Sequence, residues 1–434
     1  MESLWSKTAS LPEFPVLPGD RKTDVLIIGG GIAGLLLAYE LQKAGVEYML
    51  VEASEICSGI TKNTTAKITS QHGLCYTKLA KRLGDGAGLY LRANQEALEE
   101  FRNIARRVPC DFQEKDAFVY TLSSPEKIRQ EAENLRKLGF PAKIVQELPL
   151  PLPIQSALCF PKQAQFHPLK FAAGIAPGLH IYTHTKALEF LNDGHLIQTN
   201  RGRISAKKVV VATHFPMNNK HGGYFLKLYQ DRSYVLALEN APDMEGMYID
   251  ESPQGYSFRN IGNLLLLGGG GHRTGKSGGG WRDLEAFARK EFPGAAVQAR
   301  WAAQDCMSLD GAPYIGPYSR HTPDFFVATG FNKWGMTSSM AAALLLMDLV
   351  QGKENPYAPV FSPSRSILHP QLFVNTWEAL SSLLRLKRPR CPHMGCALQW
   401  NSAEQTWDCP CHGSRFDAQG RLIDNPATDG LQTK

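Results

Sequence analysis

A chain of 434 residues exceeds what one hydrophobic core holds, so two or three domains are expected. Its 43% apolar and 20% charged residues are those of an ordinary globular protein and exclude a disordered or fibrous chain. The net charge of +6 is spread along the sequence, apart from a basic cluster at Arg385 to Arg390 that reads as a solvated linker, with an acidic partner protein as the alternative. Aromatic and basic residues do not interleave as on a nucleic-acid surface. The apolar stretch Ala341 to Val350 is too short to span a bilayer, and a cytoplasmic or peripheral location is expected.

Residues 1–22, with Pro12, Pro15 and Pro18, read as an arm, disordered or wrapped on the fold. Next come the apolar run Asp24 to Ile28, the turn Gly29-Gly30-Gly31-Ile32-Ala33-Gly34, the helical pattern Leu35 to Ala44, the apolar run Tyr48 to Val51, and Glu52. That order of strand, glycine turn, helix, strand and acid is suited to a dinucleotide. Gly29 permits the tight turn, Gly31 lets the backbone approach a pyrophosphate, and Gly34 lets the helix pack on the strand. The helix amino terminus faces the phosphates, and Glu52 can accept hydrogen bonds from a ribose.

Three further segments bear on which dinucleotide. They are Gly59 to Gly73, which holds Thr64, Thr65, Lys67 and His72; Leu309-Asp310-Gly311-Ala312-Pro313-Tyr314-Ile315-Gly316; and Val327 to Thr337, which holds Gly330, Trp334, Gly335 and Met336. With the glycine turn they resemble the D-amino-acid-oxidase-like flavoprotein superfamily over residues 22–352, most of the chain. The resemblance implies bound FAD and oxidation of a C–N bond by hydride transfer to the flavin. It also implies a Rossmann-like FAD-binding domain (about 23–90, 160–230 and 310–352) interleaved with a β-rich substrate domain (about 91–159 and 231–309). By the same resemblance, Thr64 and Thr65 line the flavin and its phosphates, and the helix opening at Gly330 to Met336 sits beside the pyrimidine end of the isoalloxazine. Lys67 and His72 stand where related amine oxidases place basic residues over the flavin. The family's usual arginine for a substrate carboxylate is missing: Gln304 and Asp305 occupy its neighbourhood, Arg300 lies further back, and Arg259 is the substitute. Cys306 resembles the cysteine that carries FAD covalently in sarcosine-oxidase relatives, but it is nearer Asp310 than in those enzymes, and a buried apolar thiol is the default reading.

Within the middle of the chain, Ala117 to Thr121 reads as a strand, Pro125 to Leu138 as a helix and Pro149 to Pro153 as a turn. Strands follow at Lys207 to Thr213, Arg232 to Leu238, Gly255 to Arg259 and Asn263 to Leu267, with Gly268 to Gly271 and Gly278 to Gly280 as loop punctuation. Residues 353–388 read as a linker.

Residues 389–434 carry Cys391-Pro392-His393-Met394-Gly395-Cys396 and, twelve residues on, Cys409-Pro410-Cys411-His412-Gly413-Ser414. A Cys and a His from each loop suit a 2Fe-2S cluster with two thiolates on one iron and two imidazoles on the other. Tetrahedral zinc is the rival reading. The loops resemble those of Rieske proteins, which implies Cys391, His393, Cys409 and His412 as ligands, a disulfide between Cys396 and Cys411, and a hydroxyl from Ser414 to a cluster sulfur. Phe416 stands where high-potential members carry Tyr, so the potential should fall below the top of the Rieske range, which is about +300 mV, and a redox titration reaching that value would refute the expectation. A module this short cannot bury much core and should depend on the cluster, the disulfide and docking.

The expected fold is therefore α/β (α+β), with a small C-terminal all-β module. The expected function is an FAD-dependent oxidoreductase of an amine or amino acid, whose cluster relays single electrons to an acceptor protein or quinone. The alternatives are an electron-transfer protein serving a partner enzyme, and an oxygen-using oxidase with a structural or sensory Rieske module.

Overall fold

The computed structural model describes residues 2–385 and 388–431, so Leu386 and Lys387 of the basic cluster lie outside the described residues. Two large sheets organise the chain. In the first, strands run in the order 314–317, 325–329, 202–211, 21–28, 48–51 and 181–182, with 187–191 and 196–199 attached as an antiparallel extension. Arg21–Ile28 lies centrally with a parallel neighbour on each side, which is why Val25 to Ile28 are buried on both faces. The helix Ile32–Lys43 covers one face and packs against Gly335–Val350, an almost wholly buried helix of Ala, Leu and Met.

The second sheet has nine strands and is largely antiparallel, with Leu228–Glu239 between Ala296–Ser308 and Leu264–Arg273. The expected punctuation at Gly268 to Gly271 proves to be part of Leu264–Arg273. Close approach explains glycine there: a β-carbon at Gly268 would lie 2.5 Å from Ser257 Oγ, and one at Gly271 would lie 2.7 Å from the Pro253 carbonyl oxygen. Gly278 to Gly280 do form a loop, all three with positive φ.

The amino-terminal arm is wrapped rather than disordered. Trp5 is fully buried, its indole N–H donates to the Thr64 carbonyl at 2.7 Å, and Val16 bridges to Thr183. Residues 353–388, read as a linker, contain a helix at Pro370–Leu383.

Four short antiparallel strands (399–401, 406–408, 415–416 and 422–424) form the C-terminal module. Its buried apolar cluster is Cys391, Cys396, Leu398, Cys409, Cys411, Phe416 and Ala427, of which four are cysteines. So small a core is held by docking. Arg232 of the large sheet pairs with Glu404, while Arg415 binds Glu404, Asp408 and Asp424. Arg273 Nε donates to the Pro410 carbonyl at 3.1 Å, and Asn425 Nδ2 donates to the Thr213 carbonyl at 2.7 Å.

Candidate functional site

A cavity of about 800 Å³ runs between the two large sheets and reaches the C-terminal module. The glycine turn forms one end. Gly31 caps the helix in an extended conformation, and the Ile32 N–H donates to Thr61 Oγ1 at 3.0 Å, a cap contributed from 29 residues downstream. The helix terminus is thereby held open toward the cavity, where it can take phosphate. Gly29, Gly31, Glu52, Thr64 and Thr65 line the cavity, as do Gly330, Trp334, Gly335 and Met336. Gly34 does not line it: a β-carbon there would lie 2.0 Å from the Gly29 carbonyl oxygen, so this glycine serves the packing of helix on strand. Glu52 accepts from the Gly30 N–H at 2.7 Å and the Ser54 N–H at 2.8 Å, which fixes the carboxylate at the mouth of the turn.

The three expected catalytic residues part company. Lys67 lines the cavity, and burial, with Arg259 nearby, pulls its amine down to about 7. An amine so poised can hold or release a proton near neutrality. His72 is not among the lining residues. It stacks on Trp334 at 4.9 Å, pairs with the Tyr90 hydroxyl at 2.7 Å and the Thr69 carbonyl at 2.8 Å, and burial pulls it down to about 3. It is a neutral support behind Trp334. Arg259 is also absent from the lining: it is fully buried, lies over Trp5, and donates to the carbonyls of Thr65 and Ala66 at 2.7 and 2.9 Å. Its work is to brace the segment that carries Thr65, so it does not meet a substrate carboxylate. Cys306 does line the cavity, yet burial pushes its thiol up to about 12, leaving it protonated.

Other lining residues were assigned no role by the sequence: His214, Asp305, Lys333, and Leu422 to Asn425 with Ala427 and Thr428 of the C-terminal module. Asp305 wets the cavity but lies deep in the fold, and burial is the main cause that pushes its carboxyl up to about 6, against the pull of Lys333. A folded-state value above the ordinary 3.8 means the folded chain holds the proton more tightly. Stability from this group is therefore present at low pH and lost as pH rises from about 4 through 6. In FAD-free protein, Asp305→Asn should match the parent near the low end and exceed it above pH 6 by about 2 kcal/mol in denaturant titrations.

At the module, the two cysteine loops are joined by a Cys396–Cys411 disulfide, and Cys409 Sγ lies within 4.8 Å of both of its sulfurs. Those three sulfurs are not a ligand set, since two of them are bonded to each other. The set implied by the Rieske resemblance has the better donors. The facing Cys409 pulls the Cys391 thiol below its ordinary value, while its own thiol is pushed up. The imidazoles of His393 and His412 lie 5.0 Å apart, and burial pulls them to about 4 and 3, so both are neutral. Their Nδ1 atoms are buried with no partner, whereas the Nε2 atoms are held by the side-chain amide of Asn219 at 2.9 Å and the Phe225 carbonyl at 3.0 Å. Two buried ring nitrogens left free on the inner side, with the outer ones fixed, are what a metal cluster requires of imidazole ligands. Ser414 Oγ accepts from the Ala427 N–H at 2.9 Å, and its hydroxyl helps to pull the Cys391 thiol down. Removing a hydroxyl donor to the sulfurs destabilises the reduced cluster, so Ser414→Ala should lower the midpoint potential by roughly 60–130 mV in a redox titration, the equivalent of about 1.5–3 kcal/mol.

The two regions are joined by side chains. His214, on the cavity wall, pairs through Nε2 with Gln230 Oε1 at 2.9 Å, and Gln230 Nε2 donates to the His412 carbonyl at 3.1 Å. Gln304 Nε2 donates to the Gly413 carbonyl at 2.9 Å, and a β-carbon at Gly413 would lie 2.6 Å from Gln230 Cβ. Glycine there lets the cluster loop sit directly on the large sheet.

Comparison with known proteins agrees with both halves. The family model of FAD dependent oxidoreductases (DAO) matches residues 24–349, and that of the Rieske [2Fe-2S] domain matches residues 377–434. YhfW of Bacillus subtilis, described as a Rieske 2Fe-2S iron-sulfur protein, is 34% identical over 99% of this chain and 97% of its own. Glycine oxidase of Geobacillus kaustophilus is 25% identical over 80% of this chain and 98% of its own. A crystal structure of glycine oxidase from that organism shares the fold at a TM-score of 0.68, with 21% identity, 80% of this chain covered and 99% of that one. A cytochrome b6-f complex iron-sulfur subunit of Nostoc is 49% identical over 41 residues, 9% of this chain and 23% of its own. The chain thus belongs to the DAO family of FAD-dependent oxidoreductases and carries a C-terminal Rieske domain, so that its cofactors are FAD and a 2Fe-2S cluster.

Proposed function

We propose that this protein oxidises the C–N bond of an amine or amino acid, FAD taking the hydride and the 2Fe-2S cluster passing single electrons on to an acceptor protein or quinone. The observation that supports this reading most is the side-chain bridge from the cavity wall to the cluster loop, His214 to Gln230 to the His412 carbonyl. Cys391, His393, Cys409 and His412 would hold the cluster, and the glycine turn, Glu52, Thr64, Thr65 and the Gly330 to Met336 segment would hold FAD.

Among the described residues that line the cavity there is no arginine; Lys67, Lys186 and Lys333 are its cations, while Asp250 and Asp305 can face an ammonium group. Lys67, with its amine near neutrality, is the group suited to take a proton from a bound substrate ammonium. The name of glycine oxidase, a relative over most of this chain, is consistent with a C–N substrate.

The test is anaerobic titration with a panel of amines and amino acids, following flavin absorbance and the Rieske paramagnetic signal together. Bleaching followed by a reduced-cluster signal is expected. Bleaching with a silent cluster would leave an oxidase with a structural module, and no bleaching would point to an electron-transfer protein. His412→Cys should leave flavin bleaching intact and slow acceptor reduction at least about tenfold, the least that loss of the cluster's imidazole ligand would cost. A collapse of flavin bleaching itself would sink the relay.

A further inference from the structure

The helix Pro370–Leu383 is inside out. Most of its polar side chains face the protein, Thr376 being exposed: Asn375 and Ser382 are buried, Asn375 Oδ1 accepts from Arg273 and Gln371, Ser382 Oγ donates to the Ala397 carbonyl, and Glu378 pairs with Lys276. Its large apolar side chains face outward, with Phe373 and Trp377 each 71% exposed, Leu380 53%, and Leu384, just past the helix, 79%. At about 100° per residue these four fall within an arc of about 60°, flanked by exposed Val374 and Leu383. Scattered exposed apolar residues need no explanation, but a contiguous stripe with aromatic residues does.

Charge decides what covers the stripe. Glu378 is the single acid of the helix and is paired inward, so the outer face carries no negative charge. Exposed Arg385 and Arg388 follow the helix directly. An apolar stripe with Trp and Phe at its centre and arginines at its border is the pattern of a helix lying in the interface of an anionic bilayer. The helix is too short to cross, and no helix among the described residues is long and apolar enough to do so. The stripe also continues into the first cluster loop. Leu383 packs beside Gly395, Arg390 Nη1 donates to the carbonyls of Leu383 and Gly395, and Met394, next to His393, is exposed.

We propose that the face built by Phe373, Trp377, Leu380 and Leu384, bordered by Arg385 and Arg388, docks the protein on anionic lipid, with the Met394 loop turned to the membrane. This inference is independent of the substrate reading. The experiment is sedimentation of the full-length holoprotein with mixed phosphatidylglycerol and phosphatidylcholine vesicles, and with phosphatidylcholine vesicles alone. Binding to the anionic vesicles, weakened by salt, is expected. The combined Phe373→Ser, Trp377→Ser and Leu380→Ser variant should lose at least about a hundredfold in partition, and Arg385→Gln with Arg388→Gln about tenfold. Flavin absorbance and the Rieske signal should be unchanged in both, showing that the variants are folded. Failure of the parent to bind, or undiminished binding by the triple variant, overturns the proposal. A parent that does not bind vesicles but forms a dimer that the triple variant abolishes would also overturn it, assigning the face to a second copy.

Discussion

Gly34→Ala is expected to abolish FAD binding and to cost the apoprotein at least about 3 kcal/mol. Its β-carbon would sit 2.0 Å from the Gly29 carbonyl oxygen and 3.2 Å from the Gly29 carbonyl carbon. Both are backbone atoms of the turn itself, so no side chain can swing away. The helix must lift off the strand, and the turn that would cradle the pyrophosphate moves with it. Gly294→Ala is the control, since nothing lies within 4 Å of its β-carbon. Its effect should stay within about 0.5 kcal/mol. Thermal unfolding with and without added FAD measures both effects, and a Gly34→Ala protein that still saturates with FAD would contradict the packing argument.

Glu404→Ala should cost about 3–5 kcal/mol and loosen the C-terminal module. Glu404 is nearly buried between Arg232 of the large sheet and Arg415 of the module, and it also accepts from the Tyr234 hydroxyl. Removing it leaves Arg232, among the described residues, with Asp424 at 4.0 Å as its remaining ion-pair partner, while Arg415 keeps Asp408 and Asp424. The guanidinium on the large-sheet side is thus the one stranded, which directs the damage to the docking surface rather than to the module's own core. Limited proteolysis between residues 385 and 391 should accelerate before the flavin domain melts. Unchanged proteolysis together with unchanged melting would show that the pair contributes little.

The parts legible in sequence were those whose chemistry is local. The glycine turn with Glu52 and the two Cys-His loops each carry their pattern in one short stretch of sequence; Gly29, Gly31 and Glu52 line the cavity, and Cys396 is bonded to Cys411. What was not legible depends on chain segments far apart. Thr61 caps a helix twenty-nine residues earlier in sequence, and Gln230 touches the cluster loop across a separation of 182. His72 and Arg259 have the right charge for a flavin site, but burial turned one into a neutral stacking partner of Trp334 and the other into a brace for Thr65. Polar residues at the helical repeat of 370–383 mark a protein-facing side only because Arg273, Ala397 and Lys276 meet them there, which periodicity cannot show.

Strand 422–424 and the residues after it, up to Thr428, belong to the cluster-bearing module yet form part of the wall of the large cavity. The module is thus a piece of the vessel. Each cavity comes with one cluster site in fixed ratio, and dilution cannot part them, so electron exchange under the proposed relay would be first order, with a rate indifferent to how much protein is present. A descendant that shed the module would be left with a breached wall, and would have to rebuild that side before it could work as a free-standing oxidase.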